Sequence, residues 1–285
     1  MRLLLGGDVM TGRGIDQILP SPCDPKLYEE YVGSALVYLE LAERHSGKIA
    51  RPVPLDYVWG DALAEFAGRR PDLRIVNLET SITAGGVPED KGINYRMHPG
   101  NTGCLTAAGI DCCVLANNHV LDWGPAGLAD TLDALAAAGI ARVGAGRDAA
   151  EAAAPAVLEL PGGRRVIVLA YAWPSSGVPA HWQALPGRAG VNFLADLGPH
   201  SVARVAADVE RWARPGDVVL ASLHWGPNWG YTISFAHRRF ARALVCTAGV
   251  QAVYGHSSHH PLAIEVLSGR PILYGCGDLL NDYEG

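Results

Sequence analysis

A chain of 285 residues, 49% apolar and 18% charged, carries enough apolar side chains to bury a sizeable core, which excludes a protein disordered by composition. Its formal charge of −6 excludes the broad basic surface that nucleic acid requires. No run approaches the ~20 consecutive apolar residues that span a bilayer, so neither nucleic acid nor membrane is an expected partner.

The first residues, Met1 to Asp8, hold an apolar run too short for a signal-peptide core and lead straight into a polar motif. They predict a first strand over 2–9 and a cytoplasmic protein. Further short runs rich in Val, Ile and Leu at 73–78, 111–116, 165–172, 217–223, 251–254 and 271–274 predict strands buried on both faces. Between them, 125–138 starts on a proline, ends before Gly139 and spaces Leu128, Leu132 and Leu135 helically. Residues 235–248 repeat that pattern. Alternating strands and helices predict an α/β fold, with 1–285 as a single domain. Residues 20–60 read as an insertion around a helix at 27–45, and 173–190, rich in Pro, Gly and Ser, as a lid-like loop. The six cysteines lack C-x-x-C spacing and are expected to be reduced and mostly buried.

The strand ends carry the chemistry. Asp8 and Arg13 follow the first strand, Asn77 and Glu79 the second, Asn117, Asn118, His119 and Asp122 the third. Ser222 and His224 follow the 217–223 run, and Gly255-His256-Ser257-Ser258-His259-His260 the 251–254 run. In open α/β sheets, ligands bind where the carboxyl ends of strands converge. Asp8, Glu79, Asn118, His224, His256 and His259 would together offer a mixed oxygen and nitrogen donor set. Such a set suits one or two divalent ions of Mn, Fe or Zn and points to a catalytic rather than a structural site.

Arg13 and Arg96 are candidate anion ligands by virtue of their bidentate guanidinium groups, or else ordinary ion-pair partners. Asp278 and Asn281, after the last strand, either contact substrate or form a turn. Trp173, Trp182, Trp225, Trp229 and Tyr231 flank the proposed site, which fits a pocket for a small anionic molecule.

In this order, Gly-Asp8-Val-Met-x-Gly-Arg13, Val-Asn-Leu-Glu79, Ala-Asn-Asn118-His119-x-x-Asp122-x-Gly, His224-Trp-Gly and Gly-His256-x-x-His259 resemble the poly-γ-glutamate capsule synthesis (CapA-like) family within the calcineurin-like metallophosphoesterases. The resemblance runs from Gly7 to the Tyr-Gly-Cys-Gly-Asp-Leu-Leu-Asn segment ending at Asn281. It implies a four-layer α-β-β-α sandwich, the six ligands above with Glu79 bridging, and His119 as the acid beside the reacting bond. Asp122 would orient His119 or cap the next helix. Two departures stand out. Met10 occupies the position where the superfamily usually has a second ligand after Asp-x, which leaves one or two metals open. Ser257-Ser258 separates the histidines, so His259 and His260 are both candidates, with His259 favoured by spacing.

The reading that follows is metal-dependent hydrolysis of a small-molecule phosphoester. The alternatives are hydrolysis or formation of an amide or γ-glutamyl bond, and a non-catalytic role in assembling a capsule polymer.

Overall fold

The computed structural model describes residues 1–283. In chain order the strands are β1 (Leu3–Val9), β2 (Leu73–Leu78), β3 (Ser81–Ile82), β4 (Arg96–Met97), β5 (Cys112–Val114), β6 (Ala141–Val143), β7 (Ala145–Gly146), β8 (Ala156–Leu160), β9 (Arg164–Ala172), β10 (Gly190–Val191), β11 (Val218–His224), β12 (Ala252–His256), β13 (Ile264–Leu267), β14 (Arg270–Leu273) and β15 (Asp278–Leu280). The helices are α1 (Arg13–Ile18), α2 (Leu36–Ser46), α3 (Ala62–Arg69), α4 (Gly103–Ala107), α5 (Gly124–Ala137), α6 (Ala149–Ala153), α7 (Pro199–Trp212) and α8 (Phe235–Thr247).

Two larger sheets organise the chain. One is parallel throughout, in the order β15-β1-β2-β5-β6; the other runs β13-β14-β12-β11-β9-β8, with a parallel centre and antiparallel pairs at its two edges. The α/β class expected from alternating apolar runs is what the chain forms. Strand β9 shows why its run is apolar from Val166 onward. Val166, Val168, Ala170 and Ala172 pack into the core shared with the first sheet, while Ile167, Leu169 and Tyr171 pack with Val205 of α7 and Phe240, Ala241 and Leu244 of α8. Both faces of the strand are buried, so period-2 alternation vanishes.

Register brings the strand ends together. Asp8 lies opposite Asn77 on one side and Asp278 on the other, and His224 lies opposite His256. Glycines allow the close approach. A Cβ on Gly7 would fall 1.6 Å from the Gly277 carbonyl oxygen, and one on Gly255 would fall 2.4 Å from that of Tyr274. Each of these glycines immediately precedes a site residue, Asp8 or His256. The hydroxyl of buried Tyr254 donates to the carbonyl of Gly6 and so ties β12 to β1 across the two sheets.

Several expectations need correction. The helix expected at 27–45 forms only from Leu36. Residues before it close a turn instead, with Leu27 N–H donating to the Gly33 carbonyl at 3.0 Å and Ala35 N–H to that of Pro25 at 2.7 Å, and Glu29 is drawn into an ion pair with Arg13. The polar segment around Asp278 forms strand β15 at the edge of the first sheet. Strands β8 and β13 and helix α7 also form where no element was expected: β8 exposes Val157 and Glu159, β13 exposes Ile264 and Val266, and α7 buries only Ser201 and Val205. Residues 173–190 hold two short 3-10 turns, Pro174–Ser176 and Ala180–Trp182. All six cysteines are free thiols, four of them buried and Cys246 exposed. Among the described residues, no helix is long and apolar enough to cross a membrane.

Phe240 fills the interface between α8 and the second sheet. Phe240→Ala is expected to lower unfolding free energy by about 3–5 kcal/mol through lost burial and the cavity left behind, measured by urea titration.

Candidate functional site

Asp8 and Glu79 end β1 and β2 side by side, and both accept from the Asn77 side-chain amide, at 2.8 and 3.3 Å. Their carboxyls are buried, 0% and 2% exposed. Burial pushes Asp8 up to about 6 despite help from its Glu79 and Asn77 hydrogen bonds. Burial also raises Glu79 well above the carboxylate range, with the Asp8 charge adding to it. Two like charges removed from water cannot both ionise cheaply without a compensating cation.

Facing them, the ends of β11 and β12 deliver imidazoles. His224 Nδ1 and His256 Nδ1 are 2.8 Å apart, His256 Nε2 lies 2.6 Å from Ser222 Oγ, and His224 Nε2 lies 2.9 Å from Asn118 Oδ1. Asn118 Oδ1 can only accept, so with both rings neutral His224 carries its proton on Nε2, His256 donates from Nδ1 to His224 Nδ1, and Ser222 Oγ donates to His256 Nε2, which satisfies the whole row. Burial holds them neutral: it lowers His256 to about 3 and His224 well below its ordinary value, with the His256 ring adding to the latter. His224 Nε2 is also 3.7 Å from Glu79 Oε1.

The third strand end supplies His119. Its Nδ1 is 2.6 Å from Asp122 Oδ2, and its Nε2 is 3.9 Å from Glu79 Oε1. Asp122 also accepts from Lys91 Nζ at 2.7 Å and from the Tyr95 N–H at 2.6 Å. An acceptor carboxylate assigns the proton to Nδ1, which leaves a lone pair on Nε2. Asp122 therefore orients His119; no side-chain cap is formed at α5. Burial lowers His119 to about 4, against the pull of Asp122.

His259 completes the site from the other side, its Nδ1 2.9 Å from Asp278 Oδ1. His260 instead turns toward Trp229 and Tyr231. Two groups could hold a cation, Asp8–His224–His256 and Asp8–His259–Asp278, their donor atoms all within 4.8 Å of one another in each. Asp8 belongs to both. Neutral imidazoles beside carboxylates make a donor set of the borderline kind that Mn, Fe and Zn share, and the buried acidic pair favours a cation there. The residues present therefore fit a divalent metal.

Other residues singled out in the sequence are placed differently. Arg13 is fully engaged, Nη1 on Glu29 at 3.0 Å and Nη2 on Asp282 at 2.5 Å, with its guanidinium 3.9 Å over the Tyr38 ring. Arg96 lies 3.9 Å over Trp123 and donates to the Asp24 carbonyl at 3.2 Å. Arg13 is thereby closed to an anion, whereas Arg96 is only partly buried and makes a single side-chain hydrogen bond. Asp278 stands among the metal-capable groups, and Asn281 braces it with a 2.6 Å hydrogen bond.

Residues not foreseen are Lys91, which also donates to the Asn118 carbonyl, and Tyr95 and Tyr283, whose hydroxyls are 3.0 Å apart, the latter 3.4 Å from His259 Nε2. None of these lies at a strand end, the one signal that found the others.

Comparison with known proteins gives this arrangement a lineage. The family described as "Bacterial capsule synthesis protein PGA_cap" matches residues 2–283. The chain belongs to this capsule synthesis family. It is 50% identical over 285 residues to the Mycobacterium tuberculosis protein named "Probable polyglutamine synthesis accessory protein", covering 99% of this chain and 75% of that protein. It is also 26% identical over 193 residues to "PGA biosynthesis protein CapA" of Bacillus subtilis, covering 68% of this chain and 48% of that protein. The corresponding values for "Capsule biosynthesis protein CapA" of Bacillus anthracis are 28% over 195 residues, 68% and 45%. The capsule family resemblance is thus confirmed across nearly the whole chain.

The raised Asp8 carboxyl has a consequence in this capsule-family protein when no metal is bound. The unfolded group ionises near 3.8 and the folded one near 6, so its contribution to stability is complete below about 3.8 and is lost as pH rises through about 6. In chelator, Asp8→Asn is expected to melt above wild type at about pH 8 and to lose that advantage near pH 4, read by thermal unfolding at both pH values. An advantage independent of pH would contradict the buried-acid account.

Proposed function

We propose that this chain is a metal-dependent enzyme of glutamyl-polymer metabolism that hydrolyses or forms an amide or γ-glutamyl bond. The observation that carries it is the convergence of Asp8, Glu79, His224, His256, His259 and Asp278 in a chain of the capsule synthesis family. The alternating burial of β9 between the first sheet and α7–α8 supports a four-layer α-β-β-α arrangement and one domain over 1–285.

Asp8, His224 and His256 would hold one cation and Asp8, His259 and Asp278 a second, with Glu79 and Asn118 alongside. A bound Mn, Fe or Zn ion would supply Lewis acidity toward a carbonyl and acidify a bound water. His119 offers the Nε2 lone pair toward the cluster and can take up or return a proton at that atom. Asp122 keeps Nδ1 protonated and stabilises the ring if it becomes charged. Lys91 in turn holds Asp122 and, by its own charge, works against premature protonation of His119.

Phosphoester hydrolysis, which the ligand types alone would rank first, becomes the second reading. Phosphoryl transfer spreads negative charge over oxygens that cationic side chains usually meet. Here the two cations tied to the site residues are already matched, Lys91 by Asp122 and Arg13 by Glu29 and Asp282. Attack on an amide carbonyl develops charge on one oxygen rather than over the three equatorial oxygens of a transferring phosphoryl group, a smaller demand. The accessory role named for the mycobacterial relative is compatible with an enzyme that trims or releases the polymer.

The test is metal content by plasma mass spectrometry, followed by assays with the loaded protein. One to two equivalents of metal are expected in wild type, lost in His224→Ala and His256→Ala, together with action on γ-glutamyl or glutaminyl oligomers. Turnover of nitrophenyl phosphates alone would put the phosphoester reading first, and no metal on reconstitution would overturn both. Lys91→Met is expected to retain metal yet lower turnover about 10–100-fold, the usual cost of losing a partner that orients a site group; steady-state kinetics on the metal-loaded variant decide it.

A further inference from the structure

The loop at 225–234, between β11 and α8, carries two large aromatic rings that the fold leaves uncovered. Trp229 is 64% exposed and Tyr231 78%. Neither dangles. Trp229 lies 5.5 Å from the His259 ring and stacks on His260 at 6.1 Å, 21° from parallel, while Tyr231 lies 4.4 Å from His260. The backbone is tied as well, since His259 N–H donates to the Asn228 carbonyl at 3.0 Å. The rings therefore begin in direct contact with a histidine of the metal-capable cluster and lead away from it.

Single exposed apolar residues need no explanation, whereas adjacent ones rimming a site mark a binding surface. Trp and Tyr offer large rigid faces at low entropic cost. A second, independent observation concerns His260. Its Nε2 is shielded from solvent yet has no hydrogen-bond partner among the described residues. A buried nitrogen left so costs free energy unless a partner arrives.

The chemistry of these groups narrows the ligand. Two π faces and an imidazole suit flat, neutral amide groups with a polar edge.

We propose that Trp229, Tyr231 and His260 form an extended subsite that stacks against the amide planes of a glutamyl or glutaminyl chain, while the bond to be made or broken lies at the Asp8 cluster. The subsite rests on the amide-polymer reading above for what it binds. It adds that recognition reaches several residues of the polymer beyond the reacting bond, so affinity grows with chain length.

The test uses metal-loaded full chain and glutamyl oligomers from dimer to hexamer. Binding is measured by calorimetry in a His119→Ala background, and turnover in the otherwise native chain. Wild-type affinity is expected to rise with length, and Trp229→Ala or Tyr231→Ala to flatten that rise, costing the hexamer about tenfold more than the dimer, one decade of affinity. Far-ultraviolet dichroism checks that the exposed substitutions leave the fold intact. Length dependence unchanged in both variants overturns the subsite while leaving amide chemistry standing. Trp229-dependent binding without turnover supports the subsite and sinks the proposed reaction. Neither binding nor turnover overturns both.

Discussion

Asp8 and Glu79 end adjacent strands with almost no solvent contact; burial makes both costly to ionise, and the Asp8 charge adds to the cost at Glu79. Most of the site can be understood as a response to that placement. Asn77 donates to both carboxyls; Ser257 N–H reaches Asp8 at 3.3 Å; neutral imidazoles close the remaining sides. What these groups do not supply is positive charge. The Lys91 ammonium is spent on Asp122. A site with buried acids, neutral imidazoles and no cation of its own is one that a divalent ion would stabilise, and whose assembly and metal affinity are coupled.

Holding such a cluster requires a scaffold that does not yield. The parallel registers set Asp8 beside Asp278 and His224 beside His256, and Tyr254 joins the two sheets behind them. The carboxyl-terminal segment is fastened by Arg13, whose guanidinium links α1 to both Glu29 and Asp282 and lies within 4.8 Å of the Tyr95 ring and 5.4 Å of Tyr283. Those tyrosines in turn approach His119 and His259. A residue read from sequence as a possible anion ligand is thus a brace that locates two of the proposed catalytic groups. Its burial with two carboxylates makes it unavailable to substrate, and its loss would strand charge in the interior.

Legibility differed by element. Strands β1, β2, β9 and β11 are legible because burial on both faces leaves short runs dominated by apolar residues, and α5 and α8 because one apolar stripe recurs at helical spacing. Strand β15 was not, since Asp278 and Asn281 made the segment look like a polar closing turn. Its pairing with β1 depends on Gly7 and Gly277 approaching across two hundred and seventy residues of chain. Helix α2 is shorter than its helical pattern, which cannot register that Glu29 pairs with Arg13.

By itself the sequence determined the α/β class, the family and the set of strand-end groups from which a metal site can be built, because hydrophobic periodicity and short polar motifs are local properties of the chain. Only the tertiary structure decided which of those groups meet. It assigned Asp278 to the metal-capable cluster, Asp122 to His119, Lys91 to Asp122, and Arg13 to Glu29 and Asp282. It also set His259 against the cluster and turned His260 toward Trp229 and Tyr231. Those choices rest on strand register and on the balance of buried charge, both of which exist only once distant segments have packed together.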